Sequence, residues 1–154
     1  MRIYLVRHGE AVSKDVNPER PLSDAGRESI KKLCYFFAPL HLKVTEIWHS
    51  DKLRARETAE ILSSAIVPQK GLCLMPGLSP NDPVSPMRKK IEESSQDLMI
   101  VGHLPFMENL ASLLLTGEES QAALTFPEGG IACLEKEAAS PWRVLWFLDP
   151  HLIL

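Results

Sequence analysis

Two short apolar segments of this chain each end in a histidine beside a glycine. Arg7-His8-Gly9-Glu10 follows Ile3 to Val6, and Gly102-His103 follows Asp97 to Val101. A third segment, Glu46 to Ser50, runs into residues that carry Arg54. A neutral imidazole is a competent nucleophile toward phosphorus, and cations beside it lower its pKa and neutralise the phosphoryl charge that repels attack. Arginine suits the second task, since its planar fork holds phosphate oxygens in pairs and stays charged at every relevant pH. Gly9 is expected to let the backbone come close to such an anion, and a helix start near Pro105 to offer free amides. These residue types point to chemistry on a phosphate or another oxyanion, provided that distant segments converge.

The elements that would make them converge are legible in the hydrophobic pattern. Ile3 to Val6 is a run of strand-favouring residues broken at Gly9, as expected of a buried central strand that delivers polar residues from its end. Ser23 is a good N-cap for an amphipathic helix to about Phe37, with Ile30, Leu33, Cys34 and Phe37 at helical spacing and Pro39 stopping it. Glu46 to Ser50 reads as a strand with Ile47 and Trp48 inward, Lys52 to Ile66 as a helix ended by Pro68, and Leu72 to Met75 as a short strand. Pro76, Pro80, Pro83 and Pro86 mark a surface segment that suits a substrate rim, and Ser85 or Pro86 opens a helix to about Glu93. Asp97 to Val101 is again a strand, followed by a helix from Pro105 to about Leu115. Ile131 to Glu135, after a Gly129-Gly130 turn, and Trp142 to Leu148 suit a hairpin. This alternation predicts a three-layer α/β/α sandwich with a mostly parallel central sheet and an antiparallel strand near the C-terminus. Ligands of such open sheets bind beyond the carboxyl ends of the strands, where His8, Ser50 with Arg54, and His103 are all expected.

Composition narrows the class. A chain of 154 residues fits one domain, taken as residues 1–154, and 45% hydrophobic with 24% charged residues is ordinary globular composition. The net charge of -3 argues against nucleic acid as a partner. Cys34, Cys73 and Cys133 are odd in number and lack paired metal-ligand spacing, so they read as buried thiols in a reducing compartment. The N-terminus has neither the length nor the cleavage site of a signal peptide, and no apolar stretch approaches the roughly 20 residues that span a bilayer. A cytoplasmic protein without membrane association is the expectation.

Four blocks in order carry a family resemblance: Leu5-Val6-Arg7-His8-Gly9-Glu10, Arg20-Pro21-Leu22-Ser23-Asp24-Ala25-Gly26, Ser50-Asp51-Lys52-Leu53-Arg54-Ala55-Arg56-Glu57-Thr58-Ala59, and Gly102-His103-Leu104-Pro105. In these the chain resembles the histidine phosphatase, or phosphoglycerate mutase-like, superfamily in its short SixA-type phosphohistidine phosphatase branch. The resemblance implies that His8 is the nucleophile that becomes phosphorylated, that Arg7 and Arg54 clamp the transferring group, and that His103 donates a hydrogen bond or positive charge to the same oxygens. It implies no metal and no cofactor. Larger members carry a glutamate, inserted after the third strand, that protonates the leaving alcohol. Here that region is only Gly77-Leu78-Ser79-Pro80-Asn81-Asp82, with Asp82 as the sole candidate for a weak acid or a substrate-binding rim residue. A phosphohistidine substrate needs such an acid less, because its imidazole can leave already protonated. Asp51, where many relatives have proline, is a second departure.

Plain structural roles are expected elsewhere. His49 reads as structural or solvent-facing, His41 and His151 as surface residues, and Ser50 and Thr58 as helix-start and packing residues. Glu10 either orients a histidine or faces solvent. Arg56 points away from Arg54 by helical geometry. The expected partner is a histidine-phosphorylated protein such as a phosphotransfer domain, or a small phosphorylated molecule such as a phosphomonoester or phosphoramidate. Two rivals remain: a metal-dependent phosphoesterase built on His8, His49, His103, Asp51 and Glu10, and a non-catalytic phosphate-binding module. The first lacks any recognised ligand motif, and the second gains nothing from a poised imidazole.

Overall fold

A computed structural model describes residues 1–153. In chain order the elements are β1 (Arg2–Arg7), α1 (Asp24–Phe37), β2 (Leu42–Val44), β3 (Glu46–His49), α2 (Leu53–Leu62), β4 (Ile66–Pro68), β5 (Leu72–Leu74), α3 (Ser85–Ser94), β6 (Leu98–Gly102), α4 (Phe106–Thr116), β7 (Ile131–Glu135) and β8 (Arg143–Leu148). Six strands form one sheet in the order β5-β3-β6-β1-β7-β8. β5, β3, β6 and β1 run parallel, and β7 is antiparallel to both β1 and β8. The sandwich expected from the sequence is the one observed.

Alternation along β1 shows why the sheet needs helices on both faces. Ile3 and Leu5 pack with Met87 and Ile91 of α3 and with Phe106 and Leu110 of α4, while Tyr4 and Val6 pack with Ile30 and Leu33 of α1 and with Ala55 and Ala59 of α2. Neighbouring residues point to opposite sides of a strand, so a central strand covered on both faces must be apolar throughout. Every residue of β6 is accordingly buried.

One expected helix is too long. α2 stops at Leu62, because the Ser63 and Ser64 hydroxyls donate back to the carbonyls of Glu60 (2.6 Å) and Ile61 (2.9 Å), an alternative to helical pairing that short hydroxyl side chains favour. The β-branched pair Ile66 and Val67 then forms β4, which pairs in parallel with the unexpected strand β2 in a separate two-stranded sheet. Other boundaries shift by a residue or so; α4 begins at Phe106 with Pro105 as its N-cap.

The start of α1 is locked to the end of β1. Ser23 Oγ accepts from the Gly26 amide at 3.0 Å and donates to Glu10 Oε1 at 2.7 Å, while its own amide donates to the Glu10 carbonyl at 2.9 Å. That closeness requires glycine at position 26, where a Cβ would collide with the Glu10 carbonyl oxygen. Gly26→Ala is expected to destabilise the fold by about 1–3 kcal/mol, the usual cost of forced overpacking, read as a lower urea midpoint. An unchanged midpoint would refute this account of the junction.

Candidate active site

Register, rather than proximity in sequence, brings the histidines together. β1 and β6 are adjacent and parallel with Arg7 opposite Gly102, so the next residues, His8 and His103, leave the sheet side by side. Their ring centroids lie 5.0 Å apart. β3 borders β6 on its other side with His49 opposite Val101, which delivers Ser50 to the same end. Arg54 enters from the first turn of α2, with its Nε 3.4 Å from His8 Nε2. These groups border a cavity of about 480 Å³, whose lining includes Arg7, His8, Arg54 and His103 together with Arg20, Glu10 and Glu128.

The orientation of His8 is set locally. Its Nδ1 lies 2.7 Å from its neighbour's carbonyl, Gly9 O, an acceptor only, so the proton resides on Nδ1 and the Nε2 lone pair is left facing Arg54. Burial, the largest cause, together with the charges of Arg54, Arg7 and Arg20, pushes the His8 pKa down to about 4 against the raising effect of the Gly9 bond. His103 is driven down to about 3, first by burial and then by His8, Arg54, Lys52 and Arg20. Both imidazoles are therefore neutral near pH 7.

Charge around them is uncompensated. No side-chain carboxylate among the described residues pairs with Arg7, Arg20 or Arg54. Glu57 and Glu60, the natural helix-surface partners of Arg54, pair instead with Arg27 and Arg56. Arg7 Nη1 donates to the Phe126 carbonyl at 2.9 Å, but its buried Nε has no partner, and neither does buried His103 Nδ1. Buried polar atoms are rarely left unsatisfied, and both of these belong to residues that line the cationic cavity, where the guanidinium forks suit an anion with several acceptor oxygens.

Several expectations are corrected. The Gly9 amide donates to Thr58 Oγ1 at 3.0 Å, and a Cβ there would crowd Ile30 and Leu22, so Gly9 serves packing and is absent from the cavity lining. The first turn of α4 is also absent from the lining, and its Met107 amide is spent on the His103 carbonyl. Asp82 faces elsewhere: its carboxylate accepts from the Ser79 amide at 2.9 Å and borders a different cavity with Met87 and Lys90. Glu10 orients no histidine; it is exposed, as the alternative reading had it, and accepts from the Ser23 hydroxyl. His49, by contrast, has the structural role expected of it, buried with Nδ1 on the Ser50 carbonyl.

Sequence reasoning undervalued four residues. Ser50 Oγ sits 2.6 Å from His103 Nε2, and Thr58 Oγ1, besides receiving the Gly9 amide, donates to the Arg54 carbonyl at 2.8 Å. That hydroxyl thus joins the segment of His8 to the helix of Arg54; its spacing of four residues from Arg54 was the available clue. Arg20 is held at φ 49° with Nε on the Val12 carbonyl. Glu128 sits on a turn fastened to the segment of His8, where the Gly129 amide donates to the carbonyls of both Arg7 (3.1 Å) and His8 (3.0 Å). Arg20 opens the second block of the family resemblance, which was the available clue to it, whereas nothing in the local pattern around Glu128 marked that residue.

Known proteins resemble the chain in sequence and fold. Residues 3–73 match the Histidine phosphatase superfamily (branch 1). An uncharacterized protein of Picosynechococcus sp. (strain ATCC 27264 / PCC 7002 / PR-6) is 32% identical over 164 residues, an alignment covering 100% of this chain and 94% of that one. Among solved structures, a SixA-type protein from Agrobacterium tumefaciens aligns with a TM-score of 0.77 at 25% identity over 97% of each chain. The protein histidine phosphatase SixA complexed with tungstate aligns with a TM-score of 0.85 at 20% identity over 98% of each, a likeness of fold. The same holds for an Escherichia coli alpha-ribazole-5'-P phosphatase, at a TM-score of 0.79 and 15% identity over 97% of this chain and 98% of that one. With its histidine-bearing strand ends and this sheet order, the chain belongs to the histidine phosphatase superfamily, in its SixA-type branch.

Proposed function

We propose that this protein is a cytoplasmic, metal-independent phosphohistidine phosphatase that works through a phosphorylated His8. Family membership supports phosphatase chemistry. The observation that supports the finer reading is the set of guanidinium groups without carboxylate partners around one neutral imidazole. In the first step His8 Nε2 attacks phosphorus and the bond to the leaving nitrogen breaks, that imidazole departing with the proton it already carries. In the second, water attacks the phosphoenzyme, the phosphorus–Nε2 bond breaks, and phosphate leaves while the water proton passes to solvent. Arg7, Arg54 and Arg20 offset the charge that builds on the equatorial oxygens. Ser50 Oγ, 2.6 Å from His103 Nε2, holds the His103 ring beside the same oxygens. A cluster of this sign repels a divalent cation, which supports the metal-independent route.

A second reading, a phosphomonoester phosphatase, has one observation in its favour. Glu128 borders the cavity and makes no hydrogen bond to the described residues, so its carboxyl group is placed to protonate an alkoxide. Hydrolysis of a phosphohistidine peptide and an alkyl phosphate by the native protein and by Glu128→Gln separates the two. Preference for the peptide, with the variant within about threefold on it, supports the first reading; an ester preference lost in the variant supports the second.

His8→Ala is expected to abolish both turnover and the acid-labile phosphoenzyme, and Arg54→Ala to lower kcat by about 10²–10³, the usual cost of removing one charge-stabilising donor. Retained turnover in His8→Ala would exclude the covalent route, and excess chelator is expected to leave the rate unchanged.

Stability should follow pH through the same imidazoles. Their folded pKa values, about 4 and about 3, lie below the ordinary 6.5, so between those limits the unfolded chain binds protons that the folded one refuses. Unfolding free energy is therefore expected to fall as pH drops below about 6.5 and through 4. His103→Asn should flatten this dependence in urea titrations at pH 7 and 5; an equal slope in both proteins would contradict it.

A further inference from the structure

Beside the phosphoryl cavity lies a larger cleft of about 670 Å³, which shares Arg20, Arg54 and Pro80 with it. Its further cations come from two walls. Exposed Lys14 stands on the loop whose base is closed by the Ala11–Leu22 bridge and the Val12 amide on the Pro21 carbonyl, and Lys52 and Arg56 flank the start of α2. Against these five cations the lining offers two carboxylates, Glu19 and Asp51, although the whole chain carries a net charge of -3. Few of the charges are neutralised. Lys14 has no ion pair among the described residues, and the Lys52–Asp51 (3.7 Å) and Arg56–Glu60 (3.6 Å) pairs are long and solvent-exposed. Lys52 caps α2 without a side-chain hydrogen bond, and the first turn holds no acidic residue, so the positive end of the helix adds to the field.

From this cleft we infer a second binding site that takes the acidic surface flanking the phosphorylated residue of a protein substrate. The inference rests on the reading that His8 receives the phosphoryl group, because the shared arginines set the cleft directly beside it. A polypeptide fits better than a small ligand. Small-molecule sites converge a few polar groups within an apolar enclosure, whereas here the cations are spread over two walls of a cleft wider than a phosphate, as carboxylates are spread on a protein surface.

The test combines Lys14→Glu, Lys52→Glu and Arg56→Gln, none of them in the catalytic machinery. Three substrates are compared: a phosphohistidine peptide flanked by glutamates, the same peptide flanked by glutamines, and phosphoramidate. The triple variant is expected to lose at least about tenfold in kcat/KM on the glutamate peptide, mainly through KM, and to stay within about twofold on the other two. Raising the salt from 0.05 to 0.5 M should erase the native protein's preference for the glutamate peptide. Equal loss on all three substrates, no native preference for glutamate flanks, or a greater loss on a small bis-phosphate than on the glutamate peptide would overturn the inference. Should the native protein hydrolyse none of them, anisotropy of the unphosphorylated glutamate peptide still decides. Binding by the native protein that the triple variant lacks upholds the cleft while the phosphatase reading fails; no native binding overturns the cleft. The single variant Lys52→Glu, with a smaller loss of the same selectivity, covers the case of a misfolded triple variant.

Discussion

Uncompensated positive charge over the ends of three adjacent strands is the constraint on which the site depends. Three guanidinium groups find no carboxylate partner there, and burial first, then the charges of Arg54 and Arg20, depresses the basicity of both imidazoles. A fold tolerates this only where the surrounding frame holds the groups in place, and the frame here is covalent order turned into register: β3, β6 and β1 lie side by side, so Ser50, His103 and His8 emerge together. The electrostatic cost in the free protein becomes an attraction once an oxyanion enters.

Rigidity around that charge comes from backbone and hydroxyl contacts rather than from ion pairs. Thr58 ties the segment of His8 to α2, the Gly129 amide ties the Glu128 turn to Arg7 and His8, and the Ser23 amide on the Glu10 carbonyl ties α1 to the same segment. Neutral ties leave the positive potential intact, whereas a carboxylate bridge would cancel it. The neighbouring cleft extends the same sign of charge outward, which gives the site a direction from which anionic substrates approach.

Much of this was legible in the sequence because strand periodicity and the two histidine-glycine junctions are local signals. Ile3 to Val6 and the apolar run before Gly102 could be read as buried strands, and parallel strands place their ends together. Side-chain direction was less legible. Gly9 looked like a phosphate-facing glycine, but Ile30 and Leu22 from elsewhere in the chain determine its role. Asp82 looked available, yet the Ser79 amide turns it away. The end of α2 escaped notice because Ser63 and Ser64 are acceptable helix residues until their hydroxyls compete for carbonyls, and β4 exists only through its pairing with the distant β2. Arg20 and Glu128 owe their places to loops, where no periodicity speaks.

The central claim is that His8 and His103 serve one oxyanion. Tungstate titration followed by nitrogen-15 NMR of the imidazoles tests it most directly. The account expects the ring nitrogens of His8 and His103 to shift together along a single binding isotherm, with both rings becoming more basic as the anion enters. Movement of only one ring, or two isotherms with different midpoints, would contradict it.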